Sequence, residues 1–157
     1  MIKVKFYWIL LALSVYAFAG CKSESSTIIK NDISVINEGL PRKVAYMTIH
    51  GFELKDKTIE IKLTHDYFDY VCDNQNYLKR WALASFLPNV IFKSNDEWLT
   101  AVQKDGFDFN LIFCSPSNSN RITLKLETNE IISMLNLLKS PYENNRMYLQ
   151  LAAELMN

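Results

Sequence analysis

The sequence predicts an α+β domain: an antiparallel sheet of about four strands, made of two hairpins, with helices packed mainly on one face. Two observations lead there. Apolar residues alternate with polar ones twice, over residues 44–63 and again over 107–126, and each run is broken by a turn. After each pair come stretches with apolar residues spaced by three and four behind helix-capping residues. With only four glycines and four prolines in 157 residues, little interrupts these elements, and 13% aromatic content supplies a core.

The chain opens on Lys3 and Lys5, an uncharged and mostly apolar run from Phe6 to Ala17, and then Phe18-Ala19-Gly20-Cys21. A basic start, an apolar middle and small residues at a cut site are the pattern of an export signal. The junction Ala19-Gly20-Cys21 resembles the lipobox of bacterial lipoproteins. The resemblance covers residues 1–21 and implies removal of residues 1–20, diacylation of the Cys21 sulfur with palmitate-type chains, and acylation of the new N-terminus. Because Lys22 rather than Asp follows the cysteine, it also implies the outer membrane in a host with two membranes. Two alternatives remain open on the residues alone. Ala17-Phe18-Ala19 is a small-x-small site that would release an unlipidated chain at Gly20, and an uncut anchor would have to span with fewer than the ~20 apolar residues a helix needs.

Lys22 to Thr27 are small, polar and charged, a flexible tether. Ile28, Ile29, Ile33, Val35 and Ile36 suggest a short lead-in strand, ended by Asn37-Glu38-Gly39 and Pro41. The organisation expected is signal peptide over 1–20, lipidated cysteine with tether and lead-in segment over 21–42, and one domain over 43–157. A strand over Val44–Leu54 has Gly51 as a place for a bulge, and Ile59, Ile61 and Leu63 form its half-buried partner after the Lys55-Asp56 turn. Thr64 is placed to cap a helix holding Tyr67, Phe68, Val71 and Cys72. Asn76 is placed to cap another, through Trp81 and Phe86 to a stop at Pro88. Ser94-Asn95-Asp96-Glu97 has capping-box spacing for a helix that ends at Gly106. Phe107 to Cys114 and Arg121 to Leu126 make the second hairpin. A helix from the Thr128 cap and another from Ser140-Pro141-Tyr142-Glu143 close the chain.

The 17 basic and 17 acidic residues balance, and loss of Lys3 and Lys5 leaves a slight acidic excess. That is no footprint for nucleic acid or for an anionic membrane surface. After Cys21, two cysteines remain. Cys72 and Cys114 either pair, closing a loop worth about 4 kcal/mol on the chain-entropy account, or lie apart as small hydrophobes.

Sequence spacing supplies no catalytic residue, no cofactor and no metal site. CxxC, HExxH, HxH, GxxxxGK and GxSxG are all missing. His65 and Cys72 fall on one helical face, but two turns set them ~10 Å apart, too far for a nucleophile and its base. What stands out is a stretch carrying Asp66, Tyr67, Asp69, Tyr70, Asp73, Tyr77 and Trp81. It has more aromatics than one helix stripe hides, beside an acidic i, i+3, i+7 row, and Tyr and Trp favour protein interfaces. The reading is a lipid-anchored envelope protein that binds another protein, an envelope component or a delivered one. Immunity proteins and accessory lipoproteins of secretion machines have this format. The alternative is a small envelope enzyme or ligand-binding protein with a cleft near His50, His65 and the aromatic helices.

Overall fold

The computed structural model describes residues 24–117 and 119–139. The expected signal peptide over 1–20, Cys21 and the helix expected from Ser140 lie outside the described residues. The domain is α+β as expected, but its sheet has five strands in the order β1-β2-β3-β4-β5 and is mixed.

The segment expected as tether and lead-in strand is a helix from Glu24. In α1 (Glu24–Glu38), Ile29 and Ile33 are buried one turn apart and Ile36 packs beside them. Isoleucine favours strands, but here the i, i+4, i+7 stripe finds a sheet to cover, and burial outweighs propensity. Polar residues fix the helix along its length. Ser25 Oγ donates to the Asp105 carboxylate, and Asp32 accepts the indole N–H of fully buried Trp98 at 2.8 Å. Asn37 accepts from the Phe52 N–H and donates to the Phe52 carbonyl, both at 2.9 Å.

The single strand expected over 44–54 is divided. β1 (Arg42–Val44) turns into β2 (Met47–Lys55) through Ala45 and Tyr46, with Val44 opposite Met47. Ala45 has φ 51°, the left-handed value a tight hairpin turn requires. The register of β2 against β3 (Thr58–His65) shifts between Ile49 and Gly51, the bulge anticipated at that glycine. β1 reaches only as far as Ile49, so the side-chain amide of Asn37 serves Phe52 where a longer β1 would have paired.

β3 runs parallel to β4 (Asp108–Cys114), from Thr58 opposite Asp108 to Thr64 opposite Cys114, and β4 pairs antiparallel with β5 (Arg121–Leu126). The two expected hairpins therefore lie side by side, joined through a parallel seam. Alternation of apolar residues does not distinguish the two orientations, since both have period two. A helical crossover joins β3 to β4. It comprises α2 (Phe68–Asp73), α3 (Gln75–Trp81) running on as a π-helix over Ala82–Ile91, a 3₁₀ turn, and α4 (Asp96–Asp105).

Several boundaries differ from expectation. Thr64 remains in the strand and Tyr67 precedes α2, while Asn74 rather than Asn76 precedes α3. The helix also continues through Pro88, which lies inside the π-helical stretch and has no N–H to give to residue i−4 or i−5. Asn95 leads α4 without a side-chain cap, whereas Gly106 ends it at φ 71° as expected. In α5 (Thr128–Leu138) the capping box is Glu127 with Glu130. Thr128 instead bonds Asp108 Oδ1 through both its N–H and its hydroxyl, at 2.9 Å each.

One core lies between sheet and helices. Ile59, Ile61, Leu63, Phe109, Leu111 and Phe113 come from the central strands and are fully buried, beneath Trp98, Phe86 and Leu87 from the crossover. The opposite sheet face is polar among the described residues, with Lys55 bonded to Glu60 at 2.8 Å and Lys62 and Lys125 nearby. Such exposed pairs are screened and add little.

Asn37→Ala should therefore cost about 1–3 kcal/mol, since it strands two part-buried backbone groups of Phe52. Urea unfolding monitored by tryptophan fluorescence checks this, and the outward-facing Ser34→Ala should leave the midpoint unchanged.

Candidate functional site

A groove of about 690 Å³ opens at one end of the sheet, where β2 starts and β3 stops. Its volume is within the range of ligand and peptide pockets. The β1–β2 turn contributes Tyr46, the strands Met47 and His65, and the crossover Tyr70, Tyr77 and Trp81. Local structure explains the convergence. The Ala45-Tyr46 turn turns its aromatic outward, Tyr67 stands where strand gives way to helix, and Tyr77 and Trp81 are one turn apart on α3. Tyr46 meets Tyr67 edge-on at 5.5 Å, and Trp81 stacks on the core ring Phe86 at 5.5 Å. Tyr46, Tyr67 and Tyr70 remain 61%, 59% and 47% exposed. Three neighbouring aromatics this open form a patch rather than scattered surface residues.

His65 is the titratable group of the groove. Its Nδ1 accepts the Tyr67 backbone N–H at 3.0 Å, a bond that requires Nδ1 to be unprotonated. Burial pushes its pKa below the ordinary histidine value, and the Asp66 carboxylate pulls weakly the other way. Asp66 itself pairs with Lys43 at 3.1 Å on the rim, and its N–H donates to the Tyr46 carbonyl at 2.9 Å.

Of the residues expected to form an interface, Tyr67, Tyr70, Tyr77 and Trp81 line this groove. Phe68, from the same stretch, is buried core. Asp66 lies in the turn before α2, so Asp66, Asp69 and Asp73 do not share one helix face. Asp69 and Asp73 are exposed on α2 beside the groove. Sequence reasoning missed Tyr46, Met47 and Leu78. The signal available for Tyr46 was a large aromatic next to a turn, hidden because the two strands read as one.

The two histidines do not share a cleft. His50 is exposed on the polar sheet face, with Nε2 2.6 Å from Thr64 Oγ1, whereas His65 belongs to the groove. Cys72 and Cys114 are free thiols. Cys72 packs at the margin of the core, while Cys114 faces the polar side of the sheet in a depression with Lys62 and Arg121. Burial raises the Cys72 pKa, helped by Asp69 and Asp73. No group of three or more metal-binding side chains occurs among the described residues, and no helix there is long and apolar enough to cross a membrane.

No family model matches the chain, and no curated protein matches it in sequence. Solved structures do. A protein described as secreted, from Pseudomonas aeruginosa, aligns with a TM-score of 0.53 at 10% identity, covering 69% of this chain and 93% of that one. EpsS, the type 2 secretion system pilotin of Vibrio vulnificus, aligns at 0.50 and 10% identity over 69% and 92%. The type II secretion system pilotin AspS of Vibrio cholerae aligns at 0.50 and 12% identity over 68% and 91%. The likeness is one of fold.

Two thiols should react with a maleimide in the folded protein without reductant, Cys72 more slowly because less of it is thiolate at neutral pH. Mass spectrometry counting fewer than two adducts would contradict the free pair.

Proposed function

We propose that this protein is a lipid-anchored accessory of the bacterial envelope, of the secretion-system kind, which holds a segment of another protein in its aromatic groove. The observation that carries the reading is the groove itself. Four residues singled out by composition converge there with Tyr46 and Met47, and three of the rings are open to solvent. Its form, largely aromatic and aliphatic walls with His65, Asn74 and tyrosine hydroxyls among them, suits a side of a protein–protein interface. The fold shared with two type II secretion pilotins supports the secretion-accessory format. Neither cysteine is in the groove lining with His65, which favours capture over nucleophilic chemistry.

In this reading Cys21 carries the lipid, residues 1–20 are removed, and Lys22 directs the protein to the outer membrane. Two acyl chains, at about 0.8 kcal/mol per buried methylene, suffice for stable anchoring. Intact mass of membrane-extracted protein should show the acyl groups on a chain beginning at Cys21, and Cys21→Ala should leave the protein unprocessed. A soluble, unmodified chain starting at Gly20 would overturn the anchor while leaving the groove untouched.

A photocrosslinking amino acid at Tyr70, introduced in growing cells, should trap one envelope protein, while the same probe at His50 on the opposite sheet face should not. Tyr70→Ala should weaken binding of the trapped partner by about 2 kcal/mol, roughly 30-fold. Charge reversal at Asp69 and Asp73 should weaken it further and flatten its salt dependence. Equal trapping from both positions, or unchanged binding after Tyr70→Ala with Asp73→Lys, would overturn the groove as the binding surface.

A further inference from the structure

We propose that His65 is the polar reader of the groove, its Nε2–H donating to a backbone carbonyl of an apolar, lysine- or arginine-flanked protein segment seated there. This rests on the reading that the groove takes a protein segment, and it names the chemistry of that segment.

The argument starts from the tautomer. Nδ1 accepts a backbone N–H, a group that only donates, so a neutral His65 ring carries its proton on Nε2. Nε2 has no hydrogen-bond partner among the described residues. Its surroundings are rings and aliphatic groups: Tyr67 at 6.2 Å and Phe113 at 6.4 Å between centroids, with Met47 opposite across the strand pair. The amide of Asn74, also in the lining, donates to the Tyr70 carbonyl instead. Water can serve Nε2 while the groove is empty. An occupant that displaces this water must offer an acceptor or leave a donor unmet.

Charge selects the type of acceptor. Asp66 lies next to His65, and Asp69 and Asp73 follow on α2, while Lys43 offsets Asp66 alone. A carboxylate would meet this field unfavourably, whereas a neutral carbonyl would not, and cationic flanks would gain from it. The bound segment is therefore apolar at its centre, basic beside it, and turns a main-chain carbonyl toward the imidazole.

The same geometry makes capture sensitive to acid. Protonation puts a hydrogen on Nδ1 facing the Tyr67 N–H, so two donors oppose each other and Tyr67 loses its hold. The charged groups near the ring are Asp66 and its partner Lys43. The other side chains near it are Tyr46 from the β1–β2 turn, Met47 from β2, Phe113 from β4 and the phenol of Tyr70 from α2, with Tyr77 on α3. Burial already disfavours the imidazolium. The neutral ring's contribution to the folded state is thus whole above the ordinary histidine pKa of about 6.5 and is lost as pH falls below it toward the lowered folded value.

Two substitutions separate the ring nitrogens. His65→Asn keeps an acceptor where Nδ1 stands and removes the distal donor. His65→Gln keeps a donor near the Nε2 position and removes the acceptor. The probes are an array of end-blocked peptides with leucine–phenylalanine centres and lysine flanks, matched with glutamate-flanked and free-carboxylate versions. The wild type should prefer the lysine-flanked, end-blocked set. His65→Asn should bind its best member about tenfold more weakly, while His65→Gln should bind within a few-fold of wild type at neutral pH. Between about pH 7.5 and about pH 5.5 the wild type should lose a few-fold, less than the roughly tenfold an unshifted imidazole would give, and both variants should lose little. Nitrogen-15 shifts should show the Nε2–H tautomer.

Equal binding by wild type and His65→Asn, a preference for the acidic peptides, or the Nδ1–H tautomer would each overturn this role of His65. If Tyr70 still traps its partner in cells, only this inference falls. If no peptide binds and Tyr70 traps nothing, the groove reading falls with it.

Discussion

The parallel seam between β3 and β4 is the constraint on which the rest of the structure depends. Seven paired positions, from Thr58–Asp108 to Thr64–Cys114, commit the chain to crossing from one end of the sheet back to the other. A parallel connection cannot be a tight hairpin. Residues 66–107 make the crossing, and they contain α2, α3, the π-helical stretch and α4. The crossover roofs the central strands, bringing Trp98 over Phe52 at 5.9 Å and Phe92 over Phe109 at 5.8 Å. It also leaves β3 at His65, and the groove forms where that departing chain bends away from the sheet.

Much of this was legible from residue patterns and some was not, for identifiable reasons. Both hairpins, the bulge at Gly51, the stop at Gly106 and the aromatic stretch were readable because each depends on neighbours in sequence. α1 was read as a tether and strand because Ile28, Val35 and Ile36 surround the two positions, Ile29 and Ile33, that are buried. Which stripe counts is decided by a sheet that the local sequence does not show. β1 was absorbed into β2 because the turn at Ala45 uses a residue that does not advertise a positive φ. The passage through Pro88 lies in a stretch of altered winding that composition does not show. In the site, Tyr67, Tyr70, Tyr77 and Trp81 were found by composition, whereas Tyr46 and Met47 join them only through pairing with a strand that ends at His65.

The groove and the opposite sheet face show two ways of treating exposed surface. On the sheet face, Lys55, Glu60, Lys62 and Glu53 answer one another's charges, and pairs of that kind discourage association with other strands or chains. At the groove the exposed groups are aromatic, and the nearest ion pair, Lys43 with Asp66, lies on the rim. Balanced charge thus covers the sheet face, while the exposed aromatics are concentrated at the groove.

The fastening of α1 sets a distance. Ser25 is held by Asp105, and Lys57 bonds the carbonyl of the same residue at 2.6 Å, so the first turn of the helix sits beside the β2–β3 turn. The groove lies at the other end of those strands, eight residues along β3, which is roughly 25 Å at ~3.3 Å per residue. The first turn of α1 therefore lies at one end of the sheet and the groove at the other. The separation between them is fixed by hydrogen-bonded sheet, so the groove keeps a constant distance from the first turn of α1.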